Sequence, residues 1–282
     1  MVNDYIFHGD PSEETSVLID GVRLADLGVH LLADSEEPIL PNVRTQSVVI
    51  PGRHGAYDFG SYFEPRLLTL SCGINNQASL YHVQALVRKF SEMFLDQYGR
   101  PKEVTVEYEY DLGKQYTAKL ASEVPINRIV RAGLFQVPLI AYDPYAYSTF
   151  TSDEVTWGSE VITFEYSYLL GHDGTGGSVQ VTSPTSQKVY VDGYAIKPVF
   201  EISGSASKLT VSSNGYTFEL PSFTNETWTI DCERYIVLRN GDNAFGDVVL
   251  GEFVLTPGDN TVTFGGSGLD VDVRIKFRDK YM

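Results

Sequence analysis

The stretch LDVDVRIKF, residues 269–277, puts Leu269, Val271, Val273, Ile275 and Phe277 on one parity and Asp270, Asp272, Arg274 and Lys276 on the other. Strict alternation of this kind fits only a β-strand with one face buried and one face in water. The same period governs RLLTLSCGI, where Leu68, Leu70, Cys72 and Ile74 share a face, and EVTVEYEYD, where Val104, Val106, Tyr108 and Tyr110 do. Asn214-Gly215 and Asn240-Gly241 are strong two-residue hairpin signals between further short apolar runs. The chain is therefore read as mainly β.

A single segment breaks the period. After NNQAS, Leu80, Val83, Val87, Phe90 and Phe94 recur at helical spacing, with Leu86 and Met93 widening the stripe. The expectation is one amphipathic helix over about residues 79–98, capped by Ser79 and ended by Gly99 before Pro101. The passage AYDPYAYSTF, residues 141–150, reads as a seam. It divides the 282 residues into an N-terminal domain of 1–145, a β-sandwich with the helix packed on it, and a C-terminal domain of 146–282. Regular short strands in the second half argue for a sandwich or jelly roll.

Apolar residues make up 43% of the chain and charged residues 21%, enough to build a core in each half. The net charge of −16 divides into −7 for residues 1–150 (12 basic, 19 acidic) and −9 for the rest (9 basic, 18 acidic). Without clustered Lys and Arg, stable nucleic-acid binding is disfavoured, and an acidic surface repels anionic lipid. No apolar run reaches the length of a membrane span. MVNDYIFHGD lacks the basic start and apolar stretch of a secretory leader, and the two cysteines, Cys72 and Cys232, fall in different halves. Synthesis in a reducing cytoplasm is the expectation.

No constellation for catalysis emerges. His8, His30, His54, His82 and His172 are scattered without ligands at metal-binding spacing, so no metal is expected. Glu107 and Glu109 share a parity, as a glycosidase pair could, but any half-buried strand shows the same. GHDGTGG lacks the Gly-Lys-Ser/Thr ending of a phosphate loop, and no nucleophile elbow is present. The chain is read as a non-enzyme without cofactors. Trp157, Trp228 and Tyr235, with Tyr216, are the candidate aromatic platform for a sugar, although Trp228, Tyr235 and Tyr216 also lie in strand-like runs that burial would explain.

The stretch VVIPGRHGAYDFGSYFEPRLLTLSCGI, residues 48–74, contains a Pro-Gly turn with aromatic flanks. On local evidence it is a hairpin, with Tyr57, Phe59 and Phe63 set against Ala56, Asp58 and Tyr62. Its strand, P-G-R-x-G turn, Tyr-Asp-Phe run, Pro-Arg and Leu/Thr strand resemble the first-domain signature of distal tail proteins of long-tailed, non-contractile (siphovirus) bacteriophages. The resemblance runs on to PLIAYDPYAYS, and FVLTPGDNTVTFGG looks like that family's closing L-x-P-G-x-N turn and strand.

The resemblance implies a structural virion protein at the tail tip, made and assembled in the host cytoplasm. First domains of such proteins form a homo-hexameric ring, in some cases stacked rings. The ring joins the tail tube protein to baseplate and receptor-binding proteins and lets DNA pass. The second domain of the family is a peripheral, galectin-like sandwich. Trp157-Gly158-Ser159-Glu160 matches part of the galectin signature but lacks its following arginine. Arg53, Tyr57, Phe59 and Tyr62 are the residues expected at subunit or tube contacts, against the alternative that these aromatics fill the first domain's core. The competing function is a carbohydrate-binding adhesin recognising cell-wall polysaccharide.

Overall fold

A computed structural model describes residues 16–154 and 177–282. The chain is mainly β and divides into two compact units, Met1–Ala146 with Met282, and Tyr147–Tyr281. Trp157 and the rest of its galectin-like fragment lie outside the described residues, as do His8 and His172.

The first unit holds β1 (Val17–Ile19), β2 (Val22–Arg23), β3 (Val29–Leu31), β4 (Val43–Val48), β5 (Tyr57–Phe63), β6 (Arg66–Ile74), helix α1 (Leu80–Glu92), β7 (Val104–Tyr108), β8 (Lys114–Leu120), β9 (Ile126–Ile129) and β10 (Ala132–Ala141). Its main sheet follows the order β2-β1-β7-β8-β10-β6-β3. The strand β8 makes this path possible: residues 115–118 pair with β7, and Lys119 and Leu120 pair with β10. A strand that changes partner along its length turns a corner between two limbs of sheet. Alternation buries Val17, Ile19, Val104 and Val106 on one limb, and Leu68, Leu70, Phe135, Val137 and Leu139 on the other.

Helix α1 stops earlier than its apolar stripe. Asp96 accepts hydrogen bonds from the amides of Tyr98 and Arg100 at 2.8 Å each, and Leu95 bridges Pro101, so the chain folds back after Glu92. An aspartate side chain that captures amides ahead of it competes with helix continuation. Phe94 still reaches the core from beyond the helix, its ring 5.2 Å from that of Phe90, which in turn lies 5.1 Å from Phe135. Leu80, at the other end of the stripe, is exposed. Ser79 precedes the helix without capping an amide; its hydroxyl lies 2.8 Å from His82 Nδ1.

Strand β7 ends at Tyr108, and Tyr110 is carried outward on a single 3-10 turn, its ring stacked 5.0 Å from Tyr108. The acidic pair of this region serves the fold. Glu107 accepts from the Gly113 amide at 2.8 Å, and Glu109 pairs with Arg23 and accepts from the Ser16 amide. The Arg23 hydrogen bonds hold the Glu109 carboxyl below its ordinary value.

In the second unit, β11 (Ala146–Ser148) at the seam is followed by β12 (Val179–Val181), β13 (Thr185–Val191), β14 (Val199–Ala206), β15 (Lys208–Ser213), β16 (Tyr216–Leu220), β17 (Phe223–Asp231), β18 (Ile236–Arg239), β19 (Asp242–Asn243), β20 (Gly258–Ser267), β21 (Asp270–Lys276) and β22 (Lys280–Tyr281). Two antiparallel sheets, β12-β21-β14-β17-β18-β19 and β13-β20-β15-β16, contribute their buried faces to one core. Phe200, Phe218 and Phe253 meet there with centroids 5.1 to 5.6 Å apart. Both Asn-Gly pairs form their hairpins, with Asn214 and Asn240 in the left-handed conformation at φ 51°.

The buried Asn260 fixes the TPGDN turn. Its Nδ2 donates to the carbonyls of Thr256 (2.7 Å) and Gly258 (2.9 Å), and its Oδ1 accepts from the Thr256 amide (2.9 Å) and from Asn214 Nδ2 (2.7 Å). The amide thus closes its own turn and ties it to the β15–β16 hairpin. Asn260→Ala orphans these buried groups and is expected to cost about 2–4 kcal/mol, read as a lower urea midpoint at unchanged slope. Because the folded value of Glu109 is depressed, its stabilisation is complete above the ordinary carboxylate value of 4.5 and is lost as pH falls through the lowered value. Glu109→Gln should therefore reduce the loss of stability between pH 5 and 3 in acid titrations, within about 1 kcal/mol for this partly exposed pair.

Candidate functional site: an exposed aromatic hairpin

The segment with the resemblance forms a two-stranded ribbon, β4 with β5, that joins no other sheet among the described residues. Its roots are firm. Glu36 and Thr69 exchange backbone hydrogen bonds at 2.8 and 2.9 Å, and the Ser35 hydroxyl accepts from the Ser71 amide at 3.0 Å. The guanidinium of Arg66, 1% exposed, donates to the carbonyls of Pro38 and Pro144 and contacts Met282 Sδ. Beyond Pro38 the chain leaves the body. Ile39 is 88% exposed, Leu40 follows, and the Glu64 amide to Asn42 carbonyl bond closes the base of the ribbon.

At the tip, the Arg53 amide bonds the Ile50 carbonyl across Pro51 and Gly52, with Gly52 at φ 83°. Proline at the second position and a left-handed glycine at the third are what a type II turn requires. Arg53 then folds back, its guanidinium 4.3 Å from the centroid of Tyr57.

A register shift alters which face each aromatic shares. Val48 opposes Tyr57 and Ser47 opposes Asp58, but Thr45 opposes Ser61 and Arg44 opposes Tyr62. Residues directly opposite share a face, and one extra residue in a strand reverses its parity beyond the bulge. Tyr62 therefore joins Tyr57 and Phe59 on the face of Arg44 and Val48, while Phe63 passes to the other face. This corrects the assignment from simple alternation, which the irregularity at Gly60 (φ 102°) interrupts. Contact between the Ser61 and Thr45 hydroxyls at 3.3 Å marks the opposite face.

Arg53, Tyr57, Phe59 and Tyr62 are thus brought together, and in solvent. Phe59 is 62% exposed, Tyr62 and Tyr57 are exposed beside it, and Val43, Val48, Val49, Ile50 and Phe63 add to the apolar surface. These aromatics do not fill the core of the first unit. Sequence reasoning missed Ile39 and Leu40, whose signal was an apolar pair flanked by prolines, and Val43 of β4. It also missed Arg66, whose signal was a charged residue on the buried parity of Leu68 and Leu70.

The candidate sugar platform is not assembled. Trp228 is fully buried, with Phe223 edge-on at 6.0 Å and the Arg239 guanidinium 5.4 Å from its centroid, so it offers no face to a ligand. Tyr216 packs against the same core. Tyr235 sits apart, exposed in the β17–β18 turn with Lys197 Nζ 5.4 Å from its ring. Among the described residues no group of three or more His, Cys, Asp or Glu side chains could hold a metal ion, and no helix is long and apolar enough to cross a membrane.

Replacing Tyr57, Phe59 and Tyr62 together by Ala should leave stability within about 1 kcal/mol, since exposed side chains are removed. Arg66→Leu should cost about 2–4 kcal/mol by stranding the Pro38 and Pro144 carbonyls. Urea unfolding of both variants checks this contrast.

The model of the phage tail protein RIFT-related domain family matches residues 22–141. No curated protein sequence matches the chain. Among solved structures, the Dit (gp 19.1) protein of phage SPP1, described as a paradigm of the hub adsorption apparatus in phages infecting Gram-positive bacteria, superposes with a TM-score of 0.68 at 11% identity, over 95% of this chain and 99% of that one. A chain of the phage P2 baseplate in its activated conformation with Ca gives a TM-score of 0.47 at 12% identity, over 95% and 99%. Residues 22–141 therefore match the phage tail protein RIFT-related domain family, on a chain with the fold of the SPP1 Dit protein.

Proposed function

We propose that this protein is a structural subunit of the tail tip of a long-tailed phage, assembling through its N-terminal domain, residues 1–145, into a homo-hexameric ring or stacked rings. The ring is the hub between the tail tube protein and the baseplate and receptor-binding proteins. The observation that carries this reading is the ribbon of β4 and β5. A two-stranded hairpin is marginally stable alone in water, and an extended apolar surface on a soluble chain marks a contact with another molecule. Arg53, Tyr57, Phe59 and Tyr62 are of the types that dominate interface energies.

The acidic balance supports a passage for DNA. With 12 basic and 19 acidic side chains in residues 1–150, the first unit has little with which to hold phosphates as a duplex slides by. Buried Cys72 and Cys232 suit assembly in a reducing cytoplasm.

Light scattering on a sizing column, with negative-stain images of the main peak, tests the proposal. The expected species is a ring of six or twelve copies, and the Tyr57, Phe59 and Tyr62 triple alanine variant should elute as a folded monomer. A parent chain that stays monomeric at high concentration and is not recruited by the tube protein would overturn the hub reading.

A further inference from the structure

An apolar cavity of about 290 Å³ opens beside helix α1 in the first unit. Val87, Phe90, Val124, Ile126 and Phe135 are among the apolar side chains that line it. Glu123, exposed at the edge, is its one charged lining residue among those described. A dry cavity of about 150 Å³ accepts a benzene ring, so this one has room for an aromatic side chain with space left over.

The ribbon is the complementary shape. Its Tyr57, Phe59 and Tyr62 face carries Arg44 by register and Arg53 by its stacking on Tyr57, while Asp58 opposes Ser47 on the other face. An aromatic and cationic ridge thus exists on the same unit as an apolar pocket with a carboxylate at its rim. Phe59 remains 62% exposed, so the ridge does not occupy the pocket of its own chain. Two different surfaces that complement each other pair head to tail, and a head-to-tail contact closes into a ring when its rotation permits.

We propose that the ridge of one copy seats in this pocket of the next copy, with Phe59 in the cavity and Arg53 against Glu123. The proposal rests on the ring reading above and names its receiving site. Opposite charges at the rim orient the encounter and select the register, while the desolvated aromatic supplies the hold.

A charge exchange tests it. Arg53 and Glu123 are both exposed, so neither substitution strands a buried group. Glu123→Lys and Arg53→Glu should each weaken association at least tenfold in concentration-dependent light scattering. Combining them should restore assembly to within about threefold of the parent. A combined variant no better than either single change, or single changes that assemble like the parent, overturns the proposal.

A second measurement separates the pocket from the ring. Phe59→Cys combined with Val124→Cys should give, on mild oxidation, a ladder of covalent oligomers that neither single change gives. Cys72 and Cys232 contribute no background, because both are buried and burial pushes each thiol up to about 12. A ring on the sizing column without the ladder rejects this pocket and leaves the hub reading standing. A parent chain that never assembles, alone or with the tube protein, removes both.

Discussion

The buried guanidinium of Arg66 is the interaction on which the first unit is organised. A charge taken out of water is tolerated only where its donors are satisfied, and an arginine presents them in a rigid planar fork. Here the fork reaches the carbonyl of Pro38 at the root of the ribbon, the carbonyl of Pro144 at the seam, and the sulfur of Met282 at the end of the chain. The ring of Tyr116 lies 5.1 Å from the same group. Segments far apart in sequence thus converge on one side chain at the first position of β6. Because Arg66 shares the parity of Leu68 and Leu70, moving β6 by one residue would turn the guanidinium outward as it exposed the core.

That anchorage explains how so exposed a ribbon can keep a defined origin. Among the described residues the β4–β5 pair has no neighbouring strand, and its own two-strand ladder returns little free energy. Pro41 and Pro65 border it, and the Glu64 to Asn42 bond closes its base. The root is held by the body and the tip is built by a rigid turn. What remains exposed in between is the apolar face.

The strands were largely legible in the sequence because period two is a local property. The face of LDVDVRIKF, the two Asn-Gly hairpins and the site of the helix follow from residue spacing alone. The misreadings arose where a single residue reset the count. The irregularity at Gly60 moved Tyr62 across the ribbon, and the Asp96 side chain turned the chain back before the apolar stripe ended. Trp228 shares the buried parity of Ile230, so its place in the core was present in the pattern. The L-x-P-G-x-N passage was recognisable as a motif, but that its asparagine closes the turn and grips Asn214 required coordinates. The contrast between core and surface aromatics was not legible either, since Tyr57 and Phe59 alternate as any buried strand does.

The distribution of charge gives the ribbon a further consequence. The whole chain carries −16, which keeps copies apart at long range. Residues 39–63 carry two arginines, Arg44 and Arg53, against one aspartate, Asp58, a net of +1. The segment with the most exposed apolar side chains is therefore also one that an acidic surface attracts. Like-charge repulsion disfavours indiscriminate association of the molecule as a whole, and the local reversal of sign weakens it at the ribbon. Both arginines belong to the aromatic face of the ribbon, so its positive charge and its exposed apolar side chains lie on the same surface, and a charge-steered approach to that surface meets the aromatics first.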